Sequence, residues 1–328
     1  MNHTRHKYFW LLLVGLVAAM SVLAETPDTI YTNGNIVTAD SAFSIRQAMA
    51  VTGDRISAMG DVASVQSLAG EGTKIIDLAG KTVIPGLIDN HVHIVRGSRQ
   101  WHRDVRLTGV HERAEAKRKI AERAEQLGPG EWVVVLGGWT PNQFSDDSSP
   151  FTRAELDEVA PDNPVFMQLL FGAGFANTQA FRAIGIEEDT EIAGLPIAND
   201  IDLDDKEQPI GQVRGAAMRR MLAKLSEPDL DQAKQRGLSL IDDLHAMGVT
   251  GVIDAAGSGL TIDFYEAFEA LDAEDKLRLR IFSLYSPPAY QPGEEGALTA
   301  ELNDLPFFQR SDFFQRVGVG ERLYTPIH

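Results

Sequence analysis

The sequence predicts an α/β protein in which a partial (β/α)8 barrel of the TIM type follows a small β-sandwich half-domain. Residues 25–82 contain short strand patterns separated by tight-turn signals. Residues 83–328 alternate apolar runs with helical patterns, an order that is typical of a parallel sheet. A complete barrel needs eight strands. This part of the chain supplies five strand candidates, near 83–93, 131–138, 165–171, 249–254 and 277–285.

The composition is that of a globular protein, and it excludes several functional classes. Of the 328 residues, 44% are hydrophobic and 23% are charged, which is enough for one large domain and a smaller one. The formal net charge of −17 disfavours nucleic acid as a partner, because an acidic surface repels phosphate groups. Cysteine is absent, so disulfides and thiol catalysis are excluded. We expect a small-molecule substrate, and association into a homo-oligomer is left open.

Residues 1–24 have the pattern of a secretory signal peptide. Arg5 and Lys7 form a positively charged start, and Phe9 to Met20 is an uncharged, mostly apolar run. Val22-Leu23-Ala24 fits a small-residue cleavage site, so we expect cleavage after Ala24. The alternative is an uncleaved N-terminal anchor helix. Cleavage predicts an exported protein, in a bacterial periplasm, without stable membrane association.

Residues 25–82 read as a β-rich segment with two turn signals. Asn33-Gly34 lies between two strand patterns and predicts a hairpin. Gly53-Asp54 predicts a second tight turn. The segment has too few strands to bury both faces of a sheet, so we expect it to pack against another element.

Two helices are well marked in residues 83–328. Arg113 to Leu127 has a strongly charged face and ends before a Gly-Pro-Gly stop. Pro228 to Met247 carries apolar residues at helical spacing, and Gly248 ends it. No closing element precedes His328, so we expect the sequence to lack the C-terminal part of the barrel.

A pair of histidines closes the first strand candidate. His91 and His93 are separated by one residue, so in a strand they point to the same face. Two imidazoles on one face are half of a metal site, and C-terminal strand ends carry the chemistry in parallel barrels. Asp89 lies on the same face, where it could hold an imidazole or a backbone turn in place. A solvated surface pair is the alternative interpretation.

Three further residues are candidates for the substrate pocket, and each has a structural alternative. Trp139 follows a strand end and could line the pocket or simply pack in the core. Asp254 ends a strand and could be a pocket acid, a group that supports a ligand, or a helix N-cap. Asn177 could fix the backbone by a hydrogen bond or cap a short helix.

The segment Pro85-Gly86-Leu87-Ile88-Asp89-Asn90-His91-Val92-His93, preceded by a β-rich unit, resembles the amidohydrolase superfamily of metal-dependent hydrolases. More narrowly, the chain is similar to the amidohydrolase-3 group, typified by YtcJ-like proteins. This narrower resemblance rests on Asn33 to Thr38, Gly138-Trp139, Asn177, Gly185-Ile186, Gly248 to Val252 and Leu279 to Ile281.

The resemblance implies a (β/α)8 barrel and a β-sandwich built from both ends of the chain. It also implies hydrolysis of an amide or other non-peptide C–N bond by metal-activated water. On this reading His91 and His93 are ligands of a divalent metal, most simply Zn²⁺, and Asp89 supports them.

The chain departs from the family pattern in ways that favour an alternative function. No histidine precedes Asn177 in the segment from Phe171, and Gly215 stands where many relatives carry Glu. None of the other six of its eight histidines has an obvious ligand position, so the remaining ligands and the catalytic acid are expected beyond the chain end. The alternative is a non-catalytic, ligand-binding or vestigial barrel protein.

Overall fold

The computed structural model of the chain describes residues 26–170, 172–257, 262–287, 290–309 and 311–320. The predicted signal peptide, residues 1–24, lies outside these ranges. The chain divides into two compact units between Gly86 and Leu87. No helix in the described ranges is long and apolar enough to cross a membrane.

The first unit is built from short strands and one helix. Its elements are β1 Thr29–Thr32, β2 Asn35–Val37, β3 Ile45–Arg46, β4 Ala48–Thr52, β5 Arg55–Gly60, α1 Val62–Gln66, β6 Lys74–Asp77 and β7 Thr82–Val83. The strands form a four-stranded sheet in the order β5-β4-β1-β6 and a three-stranded sheet in the order β3-β2-β7.

The two predicted turns of this unit have different outcomes. Gly53-Asp54 joins β4 to β5 as a hairpin in which Thr52 pairs with Arg55, so that prediction is confirmed. The hairpin predicted at Asn33-Gly34 is wrong. Asn33 does turn the chain, with a φ of 55°, but β1 and β2 lie in different sheets. β1 pairs instead with β4 and β6, because Ile30 completes a core with residues of β4 and α1.

The core of the first unit is small and leaves apolar side chains in water. It consists of Ile30, Ala48, Ala50 and Val65. Ile56 on the edge strand β5 and Ile75 on the edge strand β6 are 58% and 47% exposed. This exposure agrees with the expectation that so few strands cannot bury all their apolar surface.

The second unit contains nine strands in two sheets among its described residues. The strands are β8 Leu87–Val92, β9 Val133–Val135, β10 Val165–Leu169, β11 Ala173–Ala176, β12 Ile201–Leu203, β13 Pro209–Arg214, β14 Val249–Asp254, β15 Arg280–Tyr285 and β16 Phe314–Val319.

Helices follow or separate these strands. The α-helices are α2 Ile94–Arg99, α3 Arg113–Leu127, α4 Arg153–Val159, α5 Thr178–Ala183, α6 Gly215–Leu222, α7 Leu230–Ala246, α8 Glu266–Ala273 and α9 Glu295–Asp304. Short 3-10 helices cover Pro141–Gln143, Ile192–Gly194, Ala198–Asp200 and Ile262–Tyr265. The two helices that the sequence marks best are confirmed as α3 and α7.

The first sheet of this unit is entirely parallel, in the order β16-β15-β14-β8. Its strands therefore lie side by side in the order of the chain. Val252, Ile281 and Phe314 point from three of them into one core with residues of α2, α7 and α8. Helices thus cover the face of the sheet from which the Val252 side chain projects.

The second sheet is mixed, in the order β12-β13-β11-β10-β9. Val133 and Val135 point into one core, and Val134 points into another on the opposite face. Phe166 and Met167 of β10 divide in the same way. Burial on both faces explains why these strands read as continuous apolar runs.

The division into two sheets corrects the predicted barrel strands. The runs near 131–138 and 165–171 become β9 and β10 of the mixed sheet, and β16 was not predicted. An apolar run indicates burial on both faces of a strand but does not indicate which sheet the strand joins. Here β10 pairs with β9 and β11, and β11 pairs with β13, so β9 and β10 belong to the mixed sheet. The α/β class is confirmed, whereas a partial barrel built on the parallel sheet stays a prediction.

Candidate metal centre

His91 and His93 lie side by side where β8 ends and α2 begins. His91 is the last residue but one of β8, and His93 immediately precedes α2. The centres of the two rings are 5.6 Å apart, and the ring planes are inclined by 88°. Imidazoles bound to one tetrahedral Zn²⁺ through Zn–N bonds of about 2.0–2.1 Å would have centres roughly 5 Å apart. The pair therefore fits two ligands of a single metal ion.

A backbone carbonyl sets the tautomer of His93. Its Nδ1 is 2.6 Å from the carbonyl oxygen of Ala256, which can only accept a hydrogen bond. Nδ1 is therefore assigned as the donor, and in the neutral ring Nε2 carries the lone pair that a metal requires. Metal-binding histidines commonly have such a partner on the second ring nitrogen. The environment of His93 fits the role of a ligand.

Asp89 supports the backbone of His91. Its Oδ1 accepts a hydrogen bond from the His91 N–H at 3.0 Å. Both residues are exposed. Of the two roles expected for Asp89, contact with an imidazole or with a backbone turn, this contact is with the backbone.

Asp254 is completely buried at the end of β14, the strand beside β8. Its Oδ2 accepts from the Val95 N–H at 2.9 Å, and its Oδ1 accepts from the Ala256 N–H at 2.8 Å. Burial raises the pKa of this carboxyl, although the hydrogen bonds from Val95 and Ala256 oppose the effect. Both oxygens are directed at backbone donors in the interior, so these contacts do not support the role of a pocket acid, which stays a prediction. Asp254 takes up the capping role only in part: it accepts a bond from the first turn of α2, but the N-cap residue of that helix is His93.

The two histidines account for only part of a metal site. Across the described ranges, no group of three or more His, Cys, Asp or Glu side chains is placed to hold a metal ion. A catalytic zinc site usually has three protein ligands. The donors present in the described residues thus fit two of these positions.

The sequence from the start of β6 in the first unit to Phe307 matches a known family. The model described as Amidohydrolase family, in its third group, matches residues 74–307. The chain belongs to the amidohydrolase family.

The chain is similar to two curated relatives and to one solved structure. N-substituted formamide deformylase of Arthrobacter pascens is 31% identical over 254 residues, which are 76% of this chain and 46% of that protein. Protein LONG AFTER FAR-RED 3 of Arabidopsis thaliana is 30% identical over 280 residues, 83% of this chain and 46% of that protein. The chain thus spans about half the length of these curated relatives.

The solved structure is that of an uncharacterized metal-dependent hydrolase from Pyrococcus furiosus. It matches with a TM-score of 0.56 and 23% identity, over 89% of this chain and 55% of that one. At this identity the likeness shows the fold of the amidohydrolase chain.

Trp139 is a core residue of the amidohydrolase chain. It is 5% exposed and contacts the rings of Phe144, Phe151 and Phe175, with centroids 5.7 to 6.2 Å away. Its Nε1 donates to the Gln168 carbonyl oxygen at 2.8 Å. Trp139 therefore packs in the core, which was one of its two predicted roles. These contacts do not support the other role, lining the substrate pocket.

Asn177 holds the backbone by hydrogen bonds and caps a helix, and both roles were predicted for it as alternatives to lining the pocket. It is completely buried, and its Oδ1 accepts from the N–H groups of Val165 and Ala180, at 2.9 and 3.1 Å. Its Nδ2 donates to the carbonyl oxygens of Ala160 and Asn163. All four bonds lie within the mixed sheet and its helices, so the expected place in a substrate pocket is not supported.

Sequence reasoning missed the loop that holds His93. Ala256 is buried with a φ of +65°, and no sequence signal marks an alanine for this conformation. Gly257, with a φ of +128°, could have been found as a glycine that follows a strand end. A Cβ at Gly257 would lie 3.2 Å from Nη2 of Arg96 and 3.5 Å from Nδ1 of His93. A φ of +128° strains any residue with a Cβ, so glycine suits this position beside His93.

Proposed function

We propose that this amidohydrolase chain provides a divalent-metal site for hydrolysing an amide or other non-peptide C–N bond in a small molecule. The observation that carries the proposal is the paired imidazoles of His91 and His93, with the tautomer of His93 set by Ala256. A divalent metal, when bound, supplies Lewis acidity and lowers the pKa of a water ligand to about 7. Zn²⁺ is the ion we propose, since imidazole is among its preferred ligands.

The residues of the chain act on the position of the two rings. His93 would bind through Nε2, because its Nδ1 proton is held by the Ala256 carbonyl. Asp89 fixes the backbone of His91 at the end of β8. The Ala256 contact orients the His93 ring before a ligand arrives, and the Asp89 contact fixes the backbone that carries His91, so less ordering is needed on binding.

The relatives support the reaction class. One protein that is 31% identical is named as a deformylase of N-substituted formamides. A formamide carries the C–N bond that the family model implies, so amides of this size are the substrates with which we would begin.

Metal analysis of the purified protein tests the proposal. The wild-type chain is expected to retain close to one equivalent of zinc after dialysis, and His91→Ala/His93→Ala is expected to lose it. His111→Ala is the control, because His111 is an exposed histidine outside the site. Wild-type protein without bound metal, or a double variant that keeps it, would refute the proposal.

A non-catalytic, ligand-binding protein is the second candidate function. It is favoured by the absence of a third metal ligand beside His91 and His93 in the described residues. This candidate predicts binding of small amides without turnover. Metal bound at the pair, together with hydrolysis of an N-substituted formamide that the double variant lacks, would exclude it.

We also propose that the chain is exported to a bacterial periplasm. The support is the charged start and apolar run of residues 1–24. Intact mass spectrometry of protein expressed with its natural start is expected to show cleavage after Ala24. A full-length mass from the periplasmic fraction, or recovery only from the cytoplasm, would contradict export by this route.

A further inference from the structure

Asp254 is an unusual residue in the interior of the second unit. Its side chain is a carboxylate with no exposed surface, and no ion pair among the described residues includes it. Burying a carboxylate is unfavourable unless hydrogen bonds replace its lost water. Both oxygens of Asp254 accept such bonds, and both donors are backbone N–H groups next to His93 in space.

One of the two bonds holds the helix that follows His93. His93 is the residue before the first turn of α2, and its side chain does not cap that helix. The N–H of Val95, in the first turn, donates instead to Oδ2 of Asp254 at 2.9 Å. A carboxylate is well suited to this place, because the first N–H groups of a helix have no partners within it. Asp254 thereby fixes the point at which the chain leaves His93.

The other bond holds the carbonyl that orients the imidazole. Ala256 donates its N–H to Oδ1 of Asp254, two residues earlier, which is the geometry of an Asx turn. This turn keeps Ala256 at a φ of +65°, and its carbonyl oxygen then lies 2.6 Å from Nδ1 of His93. Without the turn, an alanine favours negative φ, which would rotate the carbonyl away from the ring.

The residues on either side of Ala256 are also hydrogen-bonded to other elements. Ala255 donates its N–H to the Val92 carbonyl at 2.9 Å. Gly257 donates its N–H to Oγ of Ser286 at 3.3 Å. The loop is thus anchored to β8 on one side and to the end of β15 on the other, with Asp254 between them.

We propose that Asp254 is a positioning residue that fixes the ring orientation and the Nδ1–H tautomer of His93 through the Ala256 carbonyl. The tautomer leaves Nε2 as the nitrogen for a metal, and in this respect the inference rests on the proposed function. The effect of Asp254 on the ring does not require metal, so it can be measured on the metal-free chain. A purely structural Asp254 would join β14 to α2 and leave the tautomer of His93 unchanged.

Nitrogen-15 NMR of the histidine rings tests the inference directly. In the metal-free, full chain, long-range ¹H–¹⁵N spectra distinguish the two neutral tautomers, and His93→Ala assigns the signals. The wild-type His93 is expected to be predominantly the Nδ1–H form. Asp254→Asn is expected to shift it towards the Nε2–H form, because an amide can accept only one of the two backbone bonds at Oδ1. Asp254→Ala, which removes both acceptors, is the second variant, with the same shift expected.

Asp157→Asn is the matched control. Asp157 also accepts a bond from the N–H at the start of a helix, from Thr178 at 2.8 Å, but it lies in the part of the unit built on the mixed sheet. This variant makes the same Asp-to-Asn change at the start of another helix and is expected to leave the tautomer of His93 as in the wild type. A wild-type His93 in the Nε2–H form, or an unchanged tautomer in either folded Asp254 variant, would overturn the inference.

Zinc titration separates this inference from the proposed function. If wild-type protein binds zinc, Asp254→Asn is expected to weaken binding by about 10- to 100-fold, the range seen when partners of metal ligands are removed. Tautomers that depend on Asp254 in a protein that binds no zinc would refute the proposed function alone. Zinc binding with a tautomer independent of Asp254 would refute the inference alone.

Discussion

Arg113 and Glu155 form a partly buried ion pair with two hydrogen bonds, between the first turn of α3 and the first turn of α4. Nε of Arg113 lies 3.1 Å from Oε1 of Glu155, and its Nη2 lies 2.8 Å from Oε2. Arg113 is 4% exposed, and its guanidinium also donates to the carbonyl oxygens of Ser149 and Pro150. Paired hydrogen bonds of this kind are stronger than single ones. The pair therefore ties two helices and the loop before α4 together.

The ion pair predicts acid sensitivity of the fold. Burial alone would raise the pKa of Glu155, but hydrogen bonds from Arg113 and Thr152 outweigh it and lower the pKa from 4.5 to about 2. Because the folded pKa is depressed, the stabilisation is present above pH 4.5 and is lost as the pH falls towards 2. The free energy of unfolding of wild type and Glu155→Gln should therefore differ at pH 7 and converge near pH 2. A constant difference would contradict this. Glu158→Gln, at an exposed pair, should have little effect at any pH.

His102 predicts a second effect of pH on the stability of the fold, at higher pH than the effect of Glu155. Burial lowers its pKa from 6.5 to about 4, and the charges of Arg236 and Arg103 act in the same direction. The unfolded chain therefore binds a proton at a higher pH than the folded chain, so stability falls as the pH drops from 6.5 towards 4. NMR titration of His102 should give a midpoint near 4, and His102→Gln should reduce the loss of stability in this window. A midpoint near 6.5 would rule out the effect.

Asn177 predicts a large loss of stability without a change at the metal pair. Asn177→Ala leaves the N–H groups of Val165 and Ala180 without their acceptor. We expect a loss of about 3 kcal/mol in the free energy of unfolding, because buried donors without partners are costly. Denaturant unfolding measures it, with the exposed Asn142→Ala as control, which should stay within about 0.5 kcal/mol of wild type. A similar, small effect of both variants would show that the four bonds do not stabilise the fold.

Trp139 allows packing and substrate contact to be told apart. Trp139→Ala should cost about 3–5 kcal/mol of unfolding free energy, as expected for a buried aromatic side chain. Trp139→Phe keeps an aromatic ring and loses the bond to Gln168, so it should cost less. Zinc content should be unchanged in Trp139→Phe. Wild-type stability in both variants, with weaker substrate binding, would instead support the pocket role.

The histidine pair was predictable, whereas the surroundings of the pair were only partly so. His91 and His93 follow from a strand pattern that ends in two histidines one residue apart, because strand periodicity places them on one face. Asp254 was a candidate, but its partner Ala256 was not. The contact of Ala256 depends on a left-handed backbone conformation and on two strands far apart in sequence, and a single sequence encodes neither in a local pattern.

The assignment of strands to sheets shows the same limit. Val133–Val135 and Val249–Asp254 were both predicted as strands of one barrel, yet β9 lies in the mixed sheet and β14 in the parallel sheet. A helix with a periodic pattern over several turns, such as α3, was predicted with the correct first and last residues. Local periodicity thus predicted the long helices α3 and α7 and five of the strands, but not β16, and the pairing of the strands needed the structure.

The pairing of β14 with β8 has a consequence for the order of folding. These neighbours in the parallel sheet are separated in the chain by the mixed sheet and its helices. Bringing distant segments together is slow, because loop closure must be completed before the new contacts form. We expect the mixed sheet to fold first and to shorten the path between β8 and β14. The loop with Ala256 would then reach His93 among the last contacts, so a nascent or stalled chain would carry both histidines without a preformed cradle for an ion.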